Sequence, residues 1–185
     1  MTESEVAEPT ALWNLTRPDD VLAVHKSFVE AGANAIQTNT FVANRLALEA
    51  RGISDVRGCN MAAAALAREA AGPALLVIGN IGPSGQVPPP QGDANLSVLE
   101  DTFAEQAASL FEGGVDFLHI ETMVHPKEMR AALRGVRAGA PELPVAVSIA
   151  FRGSGSSYKS TMGFGIDSML AVALEERDPA EVEDV

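Results

Sequence analysis

Cysteine is nearly absent: a single thiol, Cys59, stands in 185 residues, which rules out an internal disulfide and a multi-cysteine metal site built from this sequence. Basic residues are also scarce. With 13 Lys and Arg against 25 Asp and Glu, the formal net charge is −12, and a chain so acidic repels phosphate backbones and anionic membrane surfaces. Nucleic acid is therefore not an expected partner. No window approaches the roughly 18 uncharged apolar residues of a membrane span. The opening residues, with Glu3, Glu5 and Glu8, are acidic rather than basic and then apolar as in a secretory signal. A cytoplasmic location is the expectation. Acid recurs at the other end in Glu175, Glu176, Asp178, Glu181, Glu183 and Asp184, and solvated tails are expected over 1–11 and 179–185.

Between the tails, 46% of the residues are hydrophobic, enough for one core and so for one domain over 12–178. Thr16 to Asp19 has the form of a capping box, and Val21, Val24 and Phe28 follow at helical spacing up to Gly32. The short run 34–39 reads as a strand. An alanine-rich helix over 54–71, a strand over 74–80 and a Gly/Pro-rich loop to Gly92 come next. Ser97 and Glu100 form a second capping box, opening a helix that stops at Gly113 and Gly114 and feeds a strand over 116–121. Pro126 suits a first helical position, and Met129, Leu133 and Val136 mark the buried side of that helix. A buried strand over 144–151, a Gly/Ser-rich loop over 152–165 and a helix over 167–177 complete the series. Strands alternating with helices predict a parallel sheet with right-handed crossovers. The echo between Glu30-Ala-Gly-Ala-Asn34 and Glu112-Gly-Gly-Val-Asp116 suits the repeated helix-to-strand turn of a (β/α)8 barrel. Such a barrel takes about 250 residues and eight strands, so the expectation is a partial barrel of about four βα units whose free edges invite pairing with another copy or a completing chain.

Ligands of parallel α/β folds gather at the carboxyl ends of the strands. Those ends carry Thr38, Asn39 and Thr40, then Gly79, Asn80, Gly82 and Gly85, then Glu121 and Thr122, then Ser148 to Arg152. Glu121 is the sharpest candidate, because a carboxylate ending an apolar strand faces the barrel mouth, where it can bind an amino group or act as a base. It can equally be a solvated strand-end acid. The glycines at 79, 82 and 85 permit close backbone approach, yet their spacing is not the dinucleotide fingerprint, and a tight turn explains them as well. His25 reads as a helix residue, His119 as a core or supporting group on the face of Glu121, His125 as a neighbour of a helix start, and Cys59 as a small buried residue. No set of His, Cys or acidic residues has zinc spacing, so no metal ligand is expected in this chain.

The strings Leu12-Trp-Asn-Leu-Thr-Arg-Pro18, Gln37-Thr-Asn-Thr-Phe-Val-Ala-Asn-Arg45, Gly79-Asn-Ile-Gly-Pro-Ser-Gly85 and Gly114-Val-Asp-Phe-Leu-His-Ile-Glu-Thr-Met123, with Glu105 and Gln106 between them, resemble the homocysteine S-methyltransferase family. That family includes the homocysteine-binding part of cobalamin-dependent methionine synthase and betaine-homocysteine methyltransferase. The resemblance implies transfer of a methyl group to the thiol of homocysteine, with methionine as product. It implies that Glu121 holds the homocysteine amino group and that Thr38, Asn39, Thr40 and Thr122 line the same pocket. It also implies a zinc ion, which deprotonates the thiol, and a methyl donor that in some members is cobalamin-bound.

Two parts of the family pattern have no counterpart in the sequence. Nothing before Trp13 resembles the first strand and its Asp-Gly-Ala-x-Gly-Thr loop, and the three zinc-binding cysteines are missing. The expectation that follows is an incomplete methyltransferase domain, inactive without the missing strands and thiolates. Two other readings stand beside it: a non-catalytic homocysteine-binding or assembly module, and a barrel that binds a phosphate or cofactor through the loop from Gly79 to Gly85.

Overall fold

The computed structural model describes residues 9–154 and 157–176. Residues 10–16 form two short turns, a 3-10 turn Thr10–Leu12 and α1 Trp13–Thr16, followed by α2 Pro18–Glu30 and β1 Ala35–Gln37. Next come α3 Arg45–Glu49, α4 Val56–Ala71, β2 Leu76–Ile81, α5 Leu96–Glu112 and β3 Phe117–Met123. The chain continues through α6 Pro126–Gly139, β4 Val145–Ile149, β5 Arg152–Ser154, β6 Ser157–Lys159 and α7 Ile166–Glu175. Most of the expected acidic tails lies outside the described residues. Ala11, however, is fully buried, beside Ala43, Leu48, Val56 and Cys59, so the folded region starts before residue 12.

Helix starts differ from the expected capping boxes. Asn95, not Ser97, caps α5, its side chain accepting the Ser97 amide. Thr16 closes α1, and α2 begins on Pro18, whose missing N–H suits a first helical position. Asp55 caps α4 through the Gly58 amide and Asn44 caps the unexpected α3 through the Ala47 amide. The Gly/Ser-rich stretch expected as a loop contains an antiparallel hairpin, β5 with β6. There the Tyr158 ring lies over Gly153, where a Cβ would come within 2.9 Å of it.

Strands β1 to β4 form one parallel sheet in sequence order. Side chains alternate between its faces. Ile36, Val77, Ile81, Leu118 and Ile120 face the helices and join Phe103, Leu110, Met129 and Val136 in the main core. Helices α5 and α6 touch through glycine: a Cβ on Gly135 would lie 2.3 Å from the Glu100 carbonyl oxygen. The opposite face carries Ala35, Gln37, Leu76, Ile78, Phe117, His119 and Glu121, and Leu76 is 51% exposed on it. Among the described residues, no strand pairs with the outer edge of β1 or of β4. Four parallel strands with helices on one face form a partial (β/α)8 arrangement in which the inner face of the sheet is open. No helix among the described residues is long and apolar enough to cross a membrane.

Candidate functional site

The first strand end is a closed polar knot. The Thr40 hydroxyl donates to the Asn80 carbonyl (2.6 Å), so the 2.7 Å contact between the two threonine hydroxyls is a donation from Thr38 to Thr40. Thr38 in turn accepts the Asn80 amide at 2.9 Å. From below, Gln106 donates to the Thr40 carbonyl (2.9 Å). Thr38 and Thr40 are 2% and 0% exposed, so their hydroxyls fix the turn and do not face the open side of the sheet. Asn39 is tied elsewhere, donating to the Thr10 carbonyl while its own carbonyl accepts from Asn14. It borders a cavity of about 360 Å³ that Trp13, Val21, Val24 and Gln37 also line.

Glu121 sits on the open face. Gln37, two strands away, donates through Nε2 to Glu121 Oε2 at 3.1 Å, and its Oε1 lies 3.1 Å from His119 Nδ1. Gln37 Oε1 can only accept, so His119 Nδ1 carries a proton. His119 Nε2 lies 3.0 Å from the Ser148 hydroxyl, which also accepts the Thr122 amide at 3.2 Å. A row of polar groups thus runs Glu121, Gln37, His119, Ser148 across β3, β1 and β4. Thr122 has φ +64°, the left-handed region that non-glycine residues seldom occupy. The sheet register shifts at the same point, between Ile120 and Met123, which re-aims the strand end as bulges do. Among the described residues, none donates a hydrogen bond to Glu121 Oε1. The arrangement can therefore take a cationic donor such as an ammonium group.

The glycine loop divides in two. Gly79 faces the helices, where a Cβ would meet Leu118 at 2.6 Å, so it serves packing. Gly82 lets the Phe41 carbonyl cross close by, accepting its amide at 3.1 Å, and Gly85 has φ +82°. Between them Ser84 donates its amide (2.8 Å) and hydroxyl (2.6 Å) to Oε1 of Glu128 in the first turn of α6. Burial pushes the Glu128 carboxyl above its usual range, although both Ser84 bonds oppose this. His125 is the N-cap of α6, accepting the Lys127 amide through Nδ1. Sequence reasoning singled out neither Gln37 nor Ser84 nor Glu128 for a role at these strand ends. Gln37 and Ser84 had a signal, since each lies within a string that carries the family resemblance, whereas Glu128 had none.

The donor set does not fit a zinc–thiolate centre. Among the described residues no three His, Cys, Asp or Glu stand together as a metal requires. The thiol of Cys59 is buried on α4, donates to the Ala11 carbonyl at 3.0 Å, and is pushed up in pKa by that burial, the reverse of an activated thiol.

A model of the homocysteine S-methyltransferase domain matches residues 1–182. The chain belongs to the homocysteine S-methyltransferase family. Its similar proteins include methionine synthase of Mycobacterium tuberculosis, 33% identical over 131 residues, covering 67% of this chain and 11% of that protein. Methionine synthase of Mycobacterium leprae is 29% identical over 169 residues, covering 85% of this chain and 14% of the relative. The chain thus spans a small part of the curated relatives it matches. Among solved structures, the metallated form of the homocysteine methyltransferase MmuM from Escherichia coli superposes with a TM-score of 0.77 at 22% identity, covering 94% of this chain and 66% of MmuM. Its apo form gives 0.69. At such identity the likeness concerns the fold, which agrees with the partial barrel.

Proposed function

We propose that this family member binds homocysteine on the open face at the carboxyl ends of β1 to β4 and presents its thiol for methylation to methionine. The observation that supports this best is the Glu121 carboxylate, held by Gln37 on one oxygen and, among the described residues, without a partner on the other. An ammonium donating to Oε1 makes a charge-assisted bond, about twice as strong as a neutral one. Gln37, His119 and Ser148 keep the carboxylate in place, and Thr122 sets the backbone beside it. Thr38, Asn39 and Thr40, with Asn80, Gly82 and Gly85, shape the pocket wall through their backbone and do not touch the ligand with free hydroxyls. The lone buried thiol suits a reducing, cytoplasmic compartment.

The part assigned to these residues is binding and orientation. A zinc ion would supply a thiolate at neutral pH, but the described residues do not hold one, and no chemical step is assigned to them. The open inner face and the edges of β1 and β4, unpaired among the described residues, support a further polypeptide segment or chain that covers the ligand and completes the reaction centre, as does the longer fold of MmuM. The methyl donor, cobalamin-bound or other, would enter from that side. Calorimetric titration of the chain with homocysteine tests the reading: binding is expected, weakened about tenfold or more in Glu121→Ala. Equal affinity in the two proteins would overturn it.

A further inference from the structure

A carboxylate such as Glu121 suits the ammonium of an α-amino acid, and the carboxylate of the same molecule needs a donor of its own. Most polar side chains around Glu121 are already engaged. Gln37 Nε2 donates to Glu121, and with Nδ1 of His119 protonated the neutral ring accepts the Ser148 hydroxyl proton at Nε2. The Thr38 and Thr40 hydroxyls bond one another and the Asn80 carbonyl, and Asn39 Nδ2 donates to the Thr10 carbonyl.

Asn80 differs. Its backbone bonds Thr38 and Thr40, but its side chain makes no hydrogen bond among the described residues. The residue is 5% exposed; Oδ1 is sealed from solvent without a donor, whereas Nδ2 is not sealed. Buried amides are nearly always hydrogen-bonded, so one left idle at a strand end is a place where a ligand completes the set. Its position suits that part. β2 lies between β1 and β3, Asn80 stands in register with His119, and Glu121 follows His119 on the same face of β3. Strand spacing and rise put the Asn80 and Glu121 Cα atoms about 8 Å apart. The ammonium and carboxylate of an α-amino acid share one carbon, and side chains reaching from these two positions leave room for that head between them.

We infer that Asn80, beyond its backbone contribution to the pocket wall, donates through Nδ2 to the carboxylate of the bound amino acid. The inference rests on the homocysteine reading above and names the group that recognises the second charge of that ligand. Asn80 thereby selects for an α-amino acid: a thiol that carries the amine alone loses this hold.

The test is a calorimetric titration of the whole chain with homocysteine and with 3-aminopropane-1-thiol, which keeps the amine and the thiol but lacks the carboxylate. Asn80→Ala is expected to weaken homocysteine about tenfold and to leave the affinity for the aminothiol unchanged, which also shows that the variant is folded. Glu121→Ala, by contrast, should weaken both ligands. An effect of Asn80 on homocysteine alone, with none from Glu121, would uphold the Asn80 contact and remove the ammonium reading; the reverse would remove the Asn80 contact and keep the other. Unchanged homocysteine affinity in Asn80→Ala, or an equal loss for the two ligands, would overturn the inference. So would a carboxylate-dependent loss that appeared instead in Arg152→Ala, an exposed cation just past β4. No binding of either ligand would overturn both readings.

Discussion

Replacing Gly135 by alanine sets two opposed effects against each other in the middle of α6. Alanine is the better helix former by about 1 kcal/mol. The added Cβ, however, would stand 2.3 Å from the Glu100 carbonyl oxygen, 2.9 Å from Phe103 Cβ and 3.0 Å from the Ala104 nitrogen. Ordinary contact needs about 3.5 Å, so the helices must part by roughly 1 Å. The atoms in the way are mostly backbone of α5 and cannot turn aside. Overpacking of this kind costs about 1–3 kcal/mol, and the separation also loosens Met129, Leu133 and Val136 from Phe103 in the core. The net expectation is a loss of about 1–2 kcal/mol. Urea unfolding followed by far-ultraviolet circular dichroism measures it. The exposed Ala138→Gly in the same helix gives the propensity term alone, about 1 kcal/mol. If Gly135→Ala raised stability by that same amount, α5 and α6 would not pack on their glycines and the core described here would be wrong.

Asp116 offers a pH test. Burial pushes its carboxyl up, but the Val77 amide and Arg68, each 2.6 Å from Oδ2, outweigh this and hold it below the usual range. A lowered folded pKa contributes stability above the unfolded value, about 3.9, that is lost as pH falls through the folded one. Asp116→Asn should therefore lower stability near neutrality by about 1 kcal/mol, discounted for partial exposure, and narrow its gap to the wild type in acid. A gap that widened in acid would contradict the assignment. Cys59 should react with a thiol reagent only as fast as the chain opens, since it is fully buried and its thiolate is disfavoured. Rapid labelling of the native protein would refute its placement under Ala11.

The four strands and their helices were legible because each buried strand reads as an apolar run and each long helix repeats at 3.6 residues, as in Met129, Leu133 and Val136. The hairpin at Arg152–Ser154 and Ser157–Lys159 was not, because its glycine and serine residues carry little strand signal, and the one large side chain in it, Tyr158, lies over Gly153. Capping residues shifted by a position or two because several residues near each start offer a side-chain oxygen, and backbone geometry chooses among them. At the site, Glu121 was legible as a carboxylate ending an apolar strand. Its partners were not: Gln37 and Ser148 reach His119 only through the sheet register, and Glu128 meets Ser84 across 44 positions of sequence. The hydroxyls of Thr38 and Thr40, expected to line the pocket, are turned into the strand-end turn, so any lining by these residues is through other atoms. Their hydroxyls are consumed by one another and by the Asn80 backbone, a pairing that spacing alone does not reveal.

Whether Glu121 receives the amino group of homocysteine is decided by a double-mutant cycle between protein and ligand. The affinities of the wild type and Glu121→Ala are measured for homocysteine and for 4-mercaptobutanoate, which keeps the thiol and carboxylate but lacks the amino group. Either change alone is expected to weaken binding by about 1.5–3 kcal/mol, as for a hydrogen bond to a charged group, and both together to cost little more than one. Strictly additive losses would show that Glu121 and the amino group do not meet, and the site would have to be sought elsewhere on the open face.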